Sequence, residues 1–514
     1  MPHRILSLLF VLLLTPLAAL AQRWPEGWQL PASGREYRAV WYCTLAGMDW
    51  PGRNIARTEA QAEVQRELLR RDFDRLQAAG INTILFQTRI RSTMAYASKY
   101  EPWDGAFSGT PGVAPPYDVL QFAIDEAHRR GMELHAYLVA YPICTVEQAK
   151  KLGRKALPAQ RPDLVQRCGD KWMMDPGVPG TAEYIAELCR EIVERYDVDG
   201  IHLDYIRYPE KEIPFNDAKT YSRYGNRQPL AQWRRDNVTR TVRAVHDAVR
   251  AVRPWVRLSC SPIGKFANLP RQSAGGWNAR DAVYQDAQLW LKEGWMDLLF
   301  PMMYFDAHNF YPFAYDWQQN AHQRIVAPGL GIYFLSPKEG KWTIDQVTRQ
   351  MHVLRQMGIG GYAYFRSQFL LDNHQGIYDF TRQFNAQPAL TPAMTWLDNT
   401  PPALPAMGSR IEGHDLRIWW TPVADATPIS YNIYRIDPQG PTLVAQRLRT
   451  TQFVLQPAIP AHLHATYVVA AMDAYGNESP FSTTYEAPKS TLRAVPYPSS
   501  RRAVPVQPGA ARVR

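Results

Sequence analysis

Short apolar segments alternate with longer segments of helical spacing along the first three quarters of this chain. Tyr37–Leu45 is a largely apolar run of strand length, and Glu59–Ala79 then repeats apolar residues every three or four positions until Gly80 ends the helix. The alternation continues to Phe384 and predicts eight strands, at Tyr37–Leu45, Asn82–Thr88, Glu133–Ala140, Val198–Asp204, Trp255–Pro262, Met296–Tyr304, Arg324–Phe334 and Gly360–Phe365. This pattern is typical of an α/β protein of the (β/α)8 (TIM) barrel type.

An open, doubly wound sheet is the alternative architecture for alternating strands and helices. Dinucleotide-binding sheets of that kind carry a G-x-G-x-x-G turn directly after a strand. No such turn follows any of the eight predicted strands of this sequence. The barrel is therefore preferred, and its domain is predicted to span residues 36–395.

The hydrophobic period changes to two beyond the proline-rich segment Asn399–Pro405. Short alternating strands with turn residues between them follow, at Asp415–Trp420, Ser430–Ile436, Gln452–Leu455 and Thr466–Met472. This pattern predicts a small all-β, immunoglobulin-like sandwich at residues 399–487 that resembles a fibronectin type III domain. Such a domain is typical of spacing or binding rather than of catalysis. The Pro- and Arg-rich tail at 488–514 is predicted to be disordered.

The first 21 residues have the pattern of a secretory signal peptide. Arg4 provides a positive charge, Ile5–Leu14 is an apolar run too short to span a bilayer, and Ala19-Leu20-Ala21 is a small-x-small cleavage site. No later apolar run is long enough for a membrane span. The mature protein is therefore predicted to be exported, either to the periplasm or to the medium.

Charge and cysteine content argue against two further classes of protein, those that bind nucleic acids and those with a cysteine-based zinc or redox site. The net charge is +10, but six positive residues of the tail and Arg4 supply seven of these charges, which leaves a nearly neutral body. Nucleic-acid binding is therefore not expected. The five cysteines form no C-x-x-C pair, so no zinc or redox motif is present. Cys144 and Cys168 are the one candidate disulfide.

Candidate chemistry lies where the predicted strands end. Asp204 follows the fourth strand and Asp306 follows the sixth. In a barrel the carboxyl ends of the strands converge on one face, which holds the active site. Two carboxylates are what glycoside hydrolysis requires, because one protonates the leaving oxygen while the other attacks the anomeric carbon or activates water. Asp204 is therefore predicted as the nucleophile or base and Asp306 as the acid, with Asp49 and Glu101 as the alternative partners of Asp204.

Aromatic, basic and further acidic residues near the same strand ends are predicted to bind the sugar. Aromatic rings offer apolar platforms to pyranose faces, although cores use the same residues. The predicted substrate-binding residues are Asp49, Trp50, Arg89, Glu101, Trp103, His135, Tyr137, Arg207, Tyr208, Tyr304 and His308. Several have structural alternatives: Asp49 as a turn residue, His135 as a core group and Arg89 as the partner of a carboxylate. No metal-binding spacing is present, which disfavours a metal-dependent deacetylase, and no G-x-S-x-G elbow is present, which disfavours a serine hydrolase. No metal or other cofactor is expected.

Short motifs along the barrel region form a specific combination. They are Arg38-Ala39-Val40-Trp41, Asp49-Trp50-Pro51, Phe86-Gln87-Thr88-Arg89, Ser98-Lys99-Tyr100-Glu101-Pro102-Trp103, Gly131-Met132-Glu133-Leu134-His135-Ala136, Gly200-Ile201-His202-Leu203-Asp204-Tyr205, Trp233-Arg234-Arg235-Asp236-Asn237-Val238 and Glu293-Gly294-Trp295-Met296-Asp297. Together they resemble the glycosyl-hydrolase-10-like family, from about Glu36 to Phe384. The resemblance implies a TIM-barrel glycosidase.

In the divisome-localised bacterial members, the resemblance implies cleavage of peptidoglycan glycan strands that lack stem peptides. Two positions depart from many relatives: Asp204 is followed directly by Tyr205 instead of a second Asp, and Ala140-Tyr141-Pro142 stands where Asn-Pro is common. Three functions therefore compete: a hydrolase of a bacterial cell-wall glycan, a non-catalytic carbohydrate-binding or scaffold barrel, and a hydrolase of an exogenous polysaccharide.

Overall fold

A computed structural model describes residues 34–413, 415–438, 440–455 and 465–482 of the 514-residue chain. Within residues 34–413, a parallel sheet forms the centre of the fold. Its strands are β1 (Tyr37–Tyr42), β2 (Thr83–Ile90), β3 (Glu133–Val139), β4 (Gly200–Asp204), β5 (Arg257–Cys260), β6 (Leu298–Leu299), β7 (Ile325–Val326 and Gly329–Leu330) and β8 (Gly361–Tyr364). The predicted signal peptide at 1–21 and the tail at 488–514 lie outside the described residues.

The two halves of β7 close the sheet into a barrel. Its first half pairs with β6 and its second half pairs with β8, which in turn pairs with β1. Pro328 separates the halves because it has no N–H to donate, but its carbonyl still accepts from the Ala363 N–H at 3.0 Å. The predicted (β/α)8 barrel is thus confirmed. The seventh strand is shorter than predicted, since Ile332–Leu335 forms a 3-10 turn.

A helix follows each barrel strand in residues 34–413. These helices are α1 (Glu59–Ala78), α2 (Val119–Arg129), α3 (Pro179–Arg195), α4 (Leu230–Arg250), α5 (Ala287–Lys292), α6 (Tyr311–Gln319), α7 (Ile344–Gln356) and α8 (Ile377–Phe384). Helix α6 was not predicted, because it is rich in aromatic residues and lacks a side-chain cap at its N-terminus. No helix in the described ranges is long and apolar enough to cross a bilayer.

Alternation along each strand divides the barrel core into two layers. Ile201 and Leu203 of β4 point outward and pack against the surrounding helices. His202, between them, points into the barrel interior, where Trp41 donates a hydrogen bond from Nε1 to its Nε2 at 3.2 Å. Asp204 is two residues after His202 on β4, so its side chain points to the same side of the sheet. The strand pattern therefore places the Asp204 carboxylate inside the barrel at its carboxyl end.

The long loop after β3 contains a small antiparallel sheet. Its strands are Pro142–Thr145, Val165–Cys168 and Lys171–Met174, and the last of these lies between the other two. Strands two positions apart in a sheet are separated by about 10 Å, which is too far for a disulfide. Cys144 and Cys168 lie on the two outer strands and are buried free thiols, so the candidate disulfide is wrong.

The C-terminal region is a small all-β domain, as predicted. Its strands are β9 (Met407–Glu412), β10 (Asp415–Trp420), β11 (Ser430–Asp437), β12 (Gly440–Leu448), β13 (Gln452–Leu455) and β14 (Thr466–Met472). In the described residues they form two three-stranded sheets, β9-β10-β13 and β12-β11-β14. Ile418 of the first sheet packs in one apolar core with Ile433 and Val469 of the second. Strands β9 and β12 were missed because their apolar alternation is weak.

Charged residues join this domain to the amino-terminal end of the barrel strands. Arg447, at the end of β12, pairs with both Glu133 of β3 and Asp199, which precedes β4. Glu133 is fully buried and is also 3.1 Å from Arg257. The β-domain therefore packs against the barrel end opposite to Asp204, and leaves the carboxyl-end face of the barrel open.

Candidate active site

A cavity of about 590 Å³ opens at the carboxyl ends of the barrel strands. Its walls come from the strand ends of the barrel and from the small sheet after β3. The lining residues include Cys43, Gln87, Arg91, Tyr137, Gln148, Lys171, Trp172, Asp204, Tyr205, Arg207, Tyr208, Glu210, Tyr304 and Phe365. This is the face on which barrel enzymes place their chemistry.

Asp204, the last residue of β4, lies in the wall of this cavity and is 6% exposed. Its carboxylate accepts hydrogen bonds from the Tyr137 hydroxyl at 2.8 Å, from the Ser261 hydroxyl at 2.9 Å and from the Tyr205 N–H at 2.8 Å. Since all three donors are neutral, no cation neutralises the carboxylate in the described structure. The three bonds fix the orientation of a negative charge at the cavity wall.

The chain turns sharply after Asp204, and this turn brings a second carboxylate to the same cavity. Tyr205 adopts a left-handed backbone conformation with φ of 50°. Arg207 lies over the Tyr205 ring at 4.2 Å and pairs with Glu210 at 2.8 Å. Glu210 was missed by the sequence analysis. Its signal was the Arg-x-x-Glu spacing directly after the fourth strand.

Two tyrosines of the cavity have raised pKa values and so keep their hydroxyl protons. Burial raises the pKa of Tyr137 and that of Tyr304 well above the ordinary value, and the Asp204 charge adds to both shifts. The Tyr304 hydroxyl is buried and has no hydrogen-bond partner in the described residues. Its ring lies 5.4 Å from that of Phe365, so the two form an aromatic surface beside the carboxylate.

Five of the residues predicted from the sequence thus share one cavity, namely Tyr137, Asp204, Arg207, Tyr208 and Tyr304. Asp306 and His308 do not line it. Asp306 accepts a hydrogen bond from Gln346 of α7 at 2.9 Å, and His308 is exposed beside Asn309. Asp306 directly precedes the 3-10 turn Ala307–Asn309 beyond β6, and His308 lies within that turn.

Asp49 and Trp50 lie behind the cavity wall. Asp49 accepts the Cys43 N–H at 2.7 Å and pairs with Arg366, which follows β8. Burial raises the pKa of Asp49 to about 6, although the Arg366 charge opposes the shift. Trp50 is 1% exposed and donates from Nε1 to the Gln65 carbonyl at 2.9 Å. Asp49 therefore positions Cys43 at the cavity, Trp50 packs in the core, and neither side chain lines the cavity.

The remaining predicted residues lie outside the cavity lining. Arg89 and Glu101 form a buried two-pronged ion pair, with nitrogen–oxygen distances of 2.7 and 2.6 Å. Trp103 is half-buried and packs on the core cluster outside the barrel. His135 is fully buried near the amino end of β3, with Nε2 3.1 Å from Glu133. The surroundings of both residues therefore match their structural alternatives: Arg89 is the partner of a carboxylate, and His135 is a core group. Among the described residues, no group of three or more His, Cys, Asp or Glu side chains could hold a metal ion.

Comparisons with known proteins add to this geometry. The family model described as Glycosyl hydrolase-like 10 matches residues 36–333. Glycosyl hydrolase YngK of Bacillus subtilis (strain 168) is 30% identical over 476 residues, which cover 87% of this chain and 92% of that protein. Glycosyl hydrolase DigH of Escherichia coli (strain K12) is 32% identical over 302 residues, which cover 54% of this chain and 69% of that protein.

Solved structures match more distantly. The glycoside hydrolase domain of PgaB (BpsB) from Bordetella bronchiseptica is 14% identical with a TM-score of 0.46, and the match covers 68% of this chain and 98% of that one. This similarity is too low to carry an argument about function.

Proposed function

This chain belongs to the glycosyl hydrolase-like 10 family and is a glycoside hydrolase, and we propose that it cleaves a bacterial cell-wall glycan, in particular peptidoglycan strands that lack stem peptides. The motif resemblance at 36–384 supports this substrate. The signal-peptide pattern at 1–21 supports export, to the periplasm or to the medium, where such strands occur. Detection of the native protein in the periplasmic or extracellular fraction tests the location.

Asp204 carries the proposal. It is a buried carboxylate at the end of β4, oriented by three neutral donors, in a cavity of about 590 Å³. A carboxylate held in one orientation at a barrel's carboxyl end can attack an anomeric carbon or activate a water molecule. We therefore assign Asp204 as the nucleophile or base.

The second carboxylate must share the cavity with Asp204. Asp306 was predicted for this role from its strand-end position, but its carboxylate accepts a hydrogen bond from Gln346 and does not line the cavity. In the described residues, Glu210 is the other carboxylate that lines the cavity. Its side chain is 26% exposed and pairs with Arg207 at 2.8 Å. We therefore assign the second carboxylate of the pair to Glu210 in place of Asp306.

The aromatic side chains around the two carboxylates fit a sugar substrate. Tyr304 and Phe365 present ring faces on one side, and Trp172 of the small sheet lines the cavity as well. Apolar ring faces of this kind pack against the C–H faces of pyranoses.

Turnover by single carboxylate variants tests the proposal. Purified wild type is incubated with peptidoglycan strands with and without stem peptides and with a panel of exogenous polysaccharides, and the products are identified by mass spectrometry. Asp204→Asn is expected to lower kcat by at least about 100-fold, since acid–base groups contribute roughly 10²- to 10⁴-fold. Glu210→Gln is expected to lose more activity than Asp306→Asn.

Each outcome separates one assignment from another. Products from an exogenous polysaccharide alone would move the substrate away from the cell wall while keeping the glycosidase. Full activity of a correctly folded Asp204→Asn variant contradicts its catalytic role. A larger loss in Asp306→Asn than in Glu210→Gln restores the original assignment of the acid.

A further inference from the structure

A second cavity, of about 380 Å³, lies next to the Asp204 cavity. Arg91 and Gln148 line both cavities, so the two adjoin at these side chains. The second cavity is otherwise formed by the loops after β1 and β2 and by the helix Val146–Leu152 that follows the first strand of the small sheet. A ligand longer than the first cavity can therefore continue past Arg91 into the second.

Arg91 differs from the other arginines near the site. Arg89 pairs with Glu101 and Arg207 pairs with Glu210. Arg91 forms neither an ion pair nor a side-chain hydrogen bond with any described residue, and it is only partly buried. No described carboxylate forms an ion pair with Arg91, although the Arg91 charge opposes the burial that raises the pKa of Asp104 in the same cavity. The guanidinium ion can therefore still bind an anion from a ligand.

Asp104, the acidic residue that lines the second cavity, is already hydrogen-bonded to other groups. Asp104 accepts hydrogen bonds from the Thr93 hydroxyl and from the Ala106 N–H, which it caps at the start of a short helix. Lys151 of the same cavity pairs with Glu147 at 2.9 Å on the surface. In the first cavity, Lys171 is a further cation without a carboxylate partner in the described residues. The cations that remain unpaired, Arg91 and Lys171, both line the Asp204 cavity.

The backbone at Arg91 is unusual for a residue with a side chain. Arg91 and Ser92 have φ values of 57° and 53°, both in the left-handed region. Non-glycine residues in this region cost on the order of 1 kcal/mol each and occur preferentially at ligand-binding sites. The two residues form the turn that sends the chain from β2 back into the strand Thr93–Met94. This turn holds Arg91 between the two cavities.

We infer that Arg91, together with Lys171, forms a binding subsite for a sugar that carries a free carboxylate, next to the sugar cleaved at Asp204. The inference rests on the proposed glycosidase function and specifies its substrate class: an acidic glycan that extends across both cavities. A muramic acid residue without its stem peptide and a uronic acid share this chemistry. A stem peptide converts the muramic carboxylate to an amide, which removes the charge that Arg91 binds.

Paired glycans of equal length test the inference. Peptidoglycan strands without stem peptides are compared with the same strands after chemical reduction of their carboxylates to alcohols, and a uronic acid polymer and its reduced form provide a second pair. Dissociation constants are measured by calorimetry and kcat/KM by release of reducing ends, with the full chain. The wild type is expected to favour the acidic member by about 10-fold, as one charge-assisted hydrogen-bonded pair supports.

Variants assign the preference to Arg91. Arg91→Met is expected to remove most of the preference through KM, and Arg91→Lys to restore part of it. Lys150→Met is the matched control, because Lys150 is an exposed cation of the adjacent helix that lines neither cavity. It is expected to retain the full preference. Melting temperatures confirm that the variants are folded.

The inference and the proposed function fail in different ways. Equal binding and equal turnover of acidic and reduced strands, or an unchanged preference in folded Arg91→Met, overturns the subsite and leaves the glycosidase intact. Arg91-dependent binding of acidic strands without cleavage supports the subsite and contradicts the proposed cell-wall substrate. Preference confined to the uronic acid pair assigns the subsite to that polymer.

Discussion

Replacing Glu101 with glutamine separates a structural role from the ligand-binding role that the sequence predicted for this residue. The Glu101 carboxylate is 1% exposed and accepts two hydrogen bonds from Arg89 and one from the Tyr184 hydroxyl at 3.2 Å. Arg89 is fully buried and otherwise donates to the carbonyls of Val139 and Ala140. The ion pair thus ties the loop after β2 to the carboxyl end of β3.

The size of the effect follows from the buried charge that remains. Glu101→Gln keeps the shape of the side chain but leaves the Arg89 guanidinium without a counter-charge in the core. Breaking a buried pair by removing one partner costs about 3–5 kcal/mol. For a domain of this size each kcal/mol lowers Tm by about 2 °C, so the expected decrease is about 6–10 °C. At 25 °C the folded variant is expected to retain most of its kcat, because Glu101 does not line the cavity.

Thermal unfolding and steady-state kinetics on the same preparations provide the assay. Glu63→Gln is the matched control. Like Glu101, Glu63 pairs with arginine, in its case Arg66 and Arg70, but it lies exposed on α1. Its Tm is expected to stay within about 1 °C of the wild type. A Glu101→Gln variant with an unchanged Tm and a lost kcat would refute the reasoning and support Glu101 as the catalytic partner of Asp204.

Two further predictions concern buried charges whose pKa values are shifted. Burial raises the pKa of Asp49 from 3.8 to about 6, so the folded protein holds a proton that the unfolded chain has released, and stability falls as pH rises from about 4 to 6. The decrease is about 3 kcal/mol, and denaturant unfolding of Asp49→Asn across this range should show a correspondingly weaker pH dependence. Burial raises the pKa of Glu133, but the charges of Arg257 and Arg447 outweigh burial and hold this pKa at about 2. The ionised Glu133 therefore stabilises the fold fully above pH 4.5, and this contribution is lost as pH falls toward 2. Arg447→Met is expected to cost about 3 kcal/mol at pH 7, whereas Arg449→Met, whose pair with Asp197 is exposed, should cost less than about 1 kcal/mol; equal losses would contradict the assigned role of the buried cluster.

Local patterns were sufficient for most of the fold. Each barrel strand except β7 is marked by a short apolar run, and the parity of His202 and Asp204 follows from alternation along β4 alone. Helix α6 was missed because its position is determined by packing rather than by a capping signal. The candidate disulfide failed for a related reason: the strand Lys171–Met174 lies between Cys144 and Cys168, and the sequence spacing does not show this.

The sequence by itself determined that this protein is a barrel with a strand-end carboxylate at Asp204, because strand periodicity and motif spacing are properties of neighbouring residues. Only the tertiary structure decided which side chains meet at that carboxylate. Asp49 pairs with Arg366, which is 317 residues away in sequence, and Glu101 is enclosed by Arg89 and Tyr184. Neither carboxylate therefore lines the cavity. Glu210 and Arg91 line the cavity because the backbone turns after β4 and after β2. Contacts between distant segments bury some charges in pairs and leave others facing a cavity, and no local pattern encodes that choice.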